Sequence, residues 1–285
     1  MLTVTHSMDS YHHVYPVTVG VLTRRGLTES WELTAQLKAA YPEIPVIIFC
    51  CAGQSDGSRS RVHEFPSTFL IQSDRPQNPG MQVNEIMERS SSLFTCLLWS
   101  DMRISEDLFT ELPPDYQQNL CTVPLLFDQE AAMLPRSTVP YIENRHVKFA
   151  PSQETGNTLF PFDYAGLYDT LAFRAAGGFA QSFQNPYWQL ADFGTRAFLW
   201  GHRLRQSDRL RMTYCRSTPV YDATRDLDYI RWYRRNCSLR RTGRGLKRQT
   251  LRLHQQAAEE KRWLDRHLHR FMRSIEEVAA SWHEL

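Results

Sequence analysis

Three stretches of the chain are apolar almost without interruption: Pro16 to Thr23 (PVTVGVLT), Val46 to Cys51 (VIIFCC) and Leu93 to Trp99 (LFTCLLW). Continuous β-branched and aliphatic runs of this length predict strands covered on both faces, as in a parallel sheet. Thr68 to Gln72 and Leu120 to Phe127 predict two more strands. Between the first two strands, Thr28 suits an N-cap and Leu27, Trp31, Leu33, Ala35 and Leu37 give one apolar side, so a helix is predicted from Thr28 to Tyr41, ended by Pro42. A second helix is predicted from Met81 to Ser90, after Asn78-Pro79-Gly80. Strand and helix alternating at this rhythm predict βαβ units: an α/β fold with a Rossmann-type, mainly parallel sheet flanked by helices.

The remaining pattern divides the chain. Residues 1–15 are polar and aperiodic, a flexible arm; 16–225 form the globular domain; 226–285 are helical in composition, a basic C-terminal extension. Asp128 to Thr158 is long and carries Pro135, Pro140 and Pro151, which predicts a hairpin insertion or a lid. Past a break at Thr242 to Gly245, residues Leu246, Leu253, Ala257, Leu264, Leu268, Phe271, Ile275 and Val278 recur every few positions and predict an amphipathic helix or helical hairpin.

Composition and charge narrow the classes. In 285 residues, 42% hydrophobic, no apolar run is long enough to cross a bilayer and the first residues lack a signal-peptide pattern, so a cytoplasmic protein is expected. Six cysteines show no C-x-x-C pair and the histidines no zinc frame, which predicts neither a disulfide framework nor a zinc site. The formal charge of +2 hides an asymmetry: nine Lys or Arg and no acid fall between Tyr229 and Ala258, leaving 24 basic against 31 acidic residues elsewhere. This segment, with Trp232 and Tyr233 among its arginines, suits an anionic membrane surface, which would make the protein membrane-associated. The other reading is that these arginines pair with the acidic body and that the apolar stripe from Leu246 to Trp282 packs on the domain or on a second copy, in a homo-oligomer built on the C-terminal helix. Nucleic-acid binding through Arg231 to Arg252 is the lesser alternative, because the body is acidic and no reading motif is present.

Candidate chemistry gathers in Phe160 to Leu204. Gly177-Gly178-Phe179 marks a turn through conformations that a Cβ obstructs, anchored by a ring. Asp192 and Arg196 stand four apart on a helix and share a face. Asp163 and Asp169 precede the turn, and Tyr164, Phe179 and Trp188 offer faces for a sugar ring or fill a core. Asp56 and Asp101 follow predicted strands, where an open parallel sheet binds its ligands.

In this order the landmarks resemble those of a family-2-type glycosyltransferase with the GT-A fold. The resemblance covers about residues 16 to 205. It rests on Val17 to Arg24, on the loop Cys51 to Ser58, on Asn78, Gly80 and Asn84, on Leu97 to Asp101 for the strand ending in D-x-D, on Gly177-Gly178-Phe179, and on Asp192, Arg196 and Gly201. It implies inverting transfer of a sugar from a nucleotide-sugar donor to a hydroxyl of a glycan or lipid-linked acceptor. Asp56, Asn84 and Asp101 would bind the donor, with Asp101 on a divalent Mg²⁺ or Mn²⁺. Asp163, Tyr164, Asp169, Gly177, Gly178, Phe179 and Trp188 would face the acceptor. Asp192 would be the base, oriented by Arg196. Three departures stand out: Cys51 or Ala52 replaces the acid that contacts the donor base, Trp99 replaces the first acid of D-x-D, and Leu190 stands at the usual base. They give the alternative of a degenerate relative that binds without transferring.

Overall fold

The computed structural model describes residues 2–6, 15–51, 53, 58–104, 109, 114–134, 137–143, 146–152, 156–242, 245–248 and 257–282. In chain order the strands and helices are β1 (Leu2–His6), β2 (Val17–Leu22), α1 (Leu27–Ala40), β3 (Val46–Cys51), β4 (Thr68–Ser73), α2 (Pro79–Arg89), β5 (Phe94–Trp99) and β6 (Met102–Ile104). There follow β7 (Cys121–Phe127), β8 (Met133–Leu134), β9 (Ser137–Glu143), β10 (His146–Ser152), β11 (Gly166–Asp169), α3 (Thr170–Ala175), α4 (Pro186–Leu199) and β12 (Leu204–Tyr214). The chain closes with α5 (Leu227–Asn236), β13 (Leu239–Thr242), β14 (Gly245–Arg248), α6 (Ala257–His267) and α7 (Ile275–Ala280).

Ten strands form one sheet in the order β1-β4-β3-β2-β5-β11-β7-β12-β6, with β8 paired to β7. Neighbours from β4 to β5 run parallel, and β2, β3 and β5 are buried at every residue, as their unbroken apolar sequences require. The strand β11 is antiparallel to both its neighbours, and β7 with β12 is parallel again, giving the mixed but mainly parallel sheet.

Local chemistry sets the helix starts. Asn78 caps α2, its side chain accepting from the Met81 N–H, and Pro79 takes the first helical position, where its missing N–H costs nothing. Helix α1 begins at Leu27 after Gly26 with no side-chain cap, so Thr28 lies inside the helix rather than at its N-cap.

The segment after Asp128 forms a hairpin, β9 against β10, the first of the two forms expected for it. Two further expectations are revised. Part of the arm predicted as flexible, Leu2–His6, is an edge strand antiparallel to β4. The predicted helix break at Thr242 to Gly245 is a small hairpin, β13 against β14, so Leu246 lies on a strand.

The extension packs on α4 instead of standing apart. Trp232 and Trp282 are buried, Trp282 against Phe198 at 4.7 Å between ring centroids, and the Met272 N–H donates to the Leu199 carbonyl at 2.8 Å. Its arginines pair with acids of the extension itself: Arg231 with Asp228 and Glu260, Arg235 with Glu260, Arg240 with Glu276, Arg241 with Glu277. Among the described residues no helix is long and apolar enough to cross a membrane.

Candidate functional site

Strands β2 and β5 are parallel neighbours, with Leu22 opposite Trp99 at their carboxyl ends. Just beyond, the backbone N–H of Ser100 donates to the Leu22 carbonyl at 2.9 Å, and that of Arg24 to Ser100 Oγ at 3.3 Å. These bonds hold Arg24 and Asp101 side by side. Arg24 Nε lies 3.1 Å from Asp101 Oδ1 and 3.0 Å from Oδ2.

A third group comes from far along the chain. The turn Phe162–Tyr164 holds Asp163 and Tyr164 at φ 56° and 62°, a left-handed conformation uncommon without glycine. It places Asp163 Oδ2 2.5 Å from Arg24 Nη2. The Tyr214 hydroxyl donates to the same oxygen at 2.9 Å and the Tyr221 hydroxyl to Oδ1 at 2.5 Å. Trp99 Nε1 donates to the Asp163 carbonyl at 2.8 Å, and the Arg24 guanidinium lies 4.1 Å over the Trp99 ring.

The cluster is layered. The Asp163 side chain is fully buried and that of Asp101 4% exposed, whereas Arg24 keeps 24% of its side chain exposed. Two carboxylates therefore sit inside and a cation faces outward. Burial pushes the Asp163 carboxyl above its usual range, opposed by Arg24 and the two hydroxyls. Burial alone would lower the Arg24 pKa, yet Asp163 and Asp101 together hold it above the ordinary arginine value.

The other predicted site residues lie elsewhere. Asp192 is fully buried: its Oδ2 accepts from Arg196 Nε at 3.3 Å and its Oδ1 from Asn236 Nδ2 at 3.0 Å. Arg196 also donates to the carbonyls of Ala176 and, at 2.6 Å, Gly178. The pair thus ties α4 to the Gly177 turn and to α5, with both Asp192 oxygens turned to donors of the protein. Phe179 stands between this network and the strand-end cluster, its ring 4.9 Å from Tyr164 and 4.4 Å from Phe193.

Asn84 clamps the same turn, its Nδ2 donating to the Phe179 carbonyl at 2.8 Å and its Oδ1 accepting the Phe179 N–H at 2.9 Å. Gly177 and Gly178 take φ 79° and 60°, as the turn required. Asp169 caps α3 through the Ala172 N–H at 2.7 Å. Trp188 is a core residue, 5.5 Å from Trp232 and bonded through Nε1 to the Thr224 carbonyl. Tyr164 is buried, its hydroxyl donating to Gln189 at 2.7 Å. Asp56 lies outside the described residues.

The structure thus brings together Asp101 and Asp163 of the predicted set. Trp99, Arg24, Tyr214 and Tyr221 complete the cluster, and sequence spacing gave no sign that the two tyrosines belong to it.

No family model and no curated protein matches the sequence. Solved structures do. A crystal structure of GalNAc-T7 with UDP, GalNAc and Mn²⁺ superposes with a TM-score of 0.51 at 9% identity, covering 79% of this chain and 49% of that one. The chain has the GT-A fold. Its span is about half the length of GalNAc-T7. S. aureus TarS aligns at 14% identity over 76% of this chain and 38% of its own, with a TM-score of 0.49. Residues 1–349 of TarS in complex with UDP-GlcNAc align at 13% identity over 76% and 64%, with a TM-score of 0.46.

A divalent ion, which the GT-A resemblance implies at Asp101, does not fit these residues. Trp99 supplies an indole where a second carboxylate would stand, both Asp101 oxygens face Arg24 Nε, and Asp163 is engaged by Arg24 and two hydroxyls. Among the described residues no three His, Cys, Asp or Glu side chains gather as a metal-binding group. A fixed guanidinium already occupies the place of the cation, and like charges at such a distance repel.

Proposed function

We propose that this GT-A domain transfers a sugar from a nucleotide-sugar donor to a hydroxyl of a glycan or lipid-linked acceptor, in the crevice beyond the carboxyl ends of β2 and β5. The observation that carries the reading is the layered cluster: a guanidinium held outward by two inner carboxylates at the ligand-binding end of a parallel sheet. GalNAc-T7, which shares the fold, was crystallised with UDP and a sugar.

Charge grows on the diphosphate as the sugar departs, and Arg24 is the donor aimed at it, fixed before the reaction by Asp101, Asp163 and the Trp99 face. Attack from the opposite side of the sugar inverts its anomeric carbon. The acceptor hydroxyl releases its proton to the Tyr221 oxygen as Tyr221 passes its own to Asp163 Oδ1, along the 2.5 Å hydrogen bond. A raised carboxyl pKa makes Asp163 the stronger base for that step.

A second reading is donor binding without transfer. The observation favouring it is Leu190, fully buried where the resemblance places the base.

A screen of nucleotide sugars by calorimetry and by transfer to glycan and lipid-linked acceptors separates the readings. Transfer requires that Asp163→Asn bind donor but turn over at least a hundredfold more slowly. Binding with no turnover in the unaltered chain leaves the second reading, and no nucleotide binding overturns both.

A further inference from the structure

A second concavity, of about 340 Å³, opens where α4 ends, between the Gly177 turn and the C-terminal segment. It shares no lining residue with the strand-end cluster. Among the described residues no acidic side chain lines it, whereas Arg196, Arg235 and Arg270 do.

The donors of these three arginines are not equally engaged. Arg196 is committed to Asp192 and to the carbonyls of Ala176 and Gly178. Arg235 is 7% exposed and gives its Nε to Glu260, but its two terminal nitrogens make no hydrogen bond among the described residues. Arg270 donates from Nη2 to the Ala175 carbonyl and lies 3.8 Å over the Trp200 ring, with Nε and Nη1 making no hydrogen bond among the described residues. In the same wall the Nε1–H of Trp200 is buried without a partner. A guanidinium carries five N–H donors in a planar fork, and a buried N–H left unmatched, as that of Trp200 is, costs about 1–3 kcal/mol. Five unmatched nitrogens on residues that line one cavity, Trp200 Nε1 among them, call for an acceptor.

The walls are preorganised. Trp263 and His267 lie nearly parallel to Trp200, at interplanar angles of 11° and 16°, and the Arg235 guanidinium lies 4.9 Å over the Trp263 ring. Burial lowers the His267 pKa, and Arg196, Arg270 and Arg266 lower it further, which reports the positive field that an anion would meet.

We propose that this cavity binds the oxyanion of a small molecule, a phosphate or a carboxylate, gripped between Arg235 and Arg270 beside Trp200. Planar forks over aromatic faces match both anions geometrically. Because Arg235, Trp263, His267 and Arg270 all come from the C-terminal extension, the site exists only where the extension has docked on the GT-A core. The site does not depend on the reading of the strand-end crevice.

Calorimetry and melting curves with inorganic phosphate, acetate and ribose 5-phosphate, at ionic strength matched with chloride, test this. Saturable binding of at least one oxyanion is expected, weakened tenfold or more in Arg270→Gln, which gives up one carbonyl bond. Arg235→Lys keeps a cation beside Glu260 but removes the fork, and should weaken it similarly. Tighter binding of ribose 5-phosphate than of phosphate marks an organic phosphate as the ligand, and equal binding marks the free anion. Oxyanions that act only as chloride does, or equal affinity in the parent chain and both folded variants, overturn the proposal.

Discussion

The Nη2 of Arg24 donates to Oδ2 of Asp163 at 2.5 Å across a sequence separation of 139 residues, so the loop after the first buried strand and the turn before β11 are locked by one ion pair. Arg24→Gln removes the cation and leaves a fully buried carboxylate. A stability loss of about 3 kcal/mol is expected in denaturant melts, with nucleotide affinity down tenfold or more. Arg24→Lys should recover part of the stability but not the affinity, because an ammonium cannot reach both acids and stack on Trp99. Unchanged nucleotide affinity in both variants would remove Arg24 from the donor site.

Chelation should have no effect. With the guanidinium of Arg24 against both oxygens of Asp101, nucleotide affinity in EDTA should equal that in Mn²⁺. Binding that vanishes in EDTA and returns with Mn²⁺ would restore Asp101 to a metal.

Asp192 is expected to matter for folding. It is fully buried between Arg196 and Asn236, and Asp192→Ala leaves the arginine unpaired, a loss of about 3–5 kcal/mol. A variant with parental melting temperature and no turnover would instead make Asp192 the base.

Gly178→Ala probes the turn that Asn84 clamps. The glycine sits at φ +60°, and a Cβ there would come 2.5 Å from Asn84 Oδ1. Strain and displacement of Asn84 together should cost about 1–3 kcal/mol, read as a lowered melting temperature. Parental stability would mean that the turn relaxes freely.

Lys38 supplies a pH signature. Burial lowers its pKa to about 8 from 10.5, partly opposed by Glu43, and its Nζ donates to the Ile44 carbonyl at 2.6 Å. Between those two values the unfolded chain holds a proton that the folded chain has released, so stability rises with pH across the window and is lost as pH falls through 8. Lys38→Met should flatten that slope in denaturant melts at pH 7.5 to 10.5, and an unaltered slope would assign it to other groups.

What the sequence determined alone was the parallel half of the sheet. The strands β2, β3 and β5 are covered on both faces, so nearly every residue is apolar and the buried Thr18 and Thr95 are hydrogen-bonded, and a run of that kind is legible without knowing its neighbours. The Gly177-Gly178 turn was equally legible, since the backbone there demands positive φ. Edge and interrupted strands were not. The strand β1 is short and mostly exposed, and β12 buries Leu204, Gln206, Leu210, Met212 and Tyr214 but slips register between Ser207 and Arg211, which breaks the alternation that would have announced it.

Only the tertiary structure could place the charges. Asp192 and Arg196 show the same spacing of four on a solvated helix face as in an interior, and α5 covering that face is what buries them. Asp163 acquires its partners from Arg24, Tyr214 and Tyr221, none within 50 positions of it along the chain. Periodicity records which residues are covered; it carries no record of what a polar group meets once the chain has folded back on it, because that contact is set by packing between elements rather than by any repeat within one.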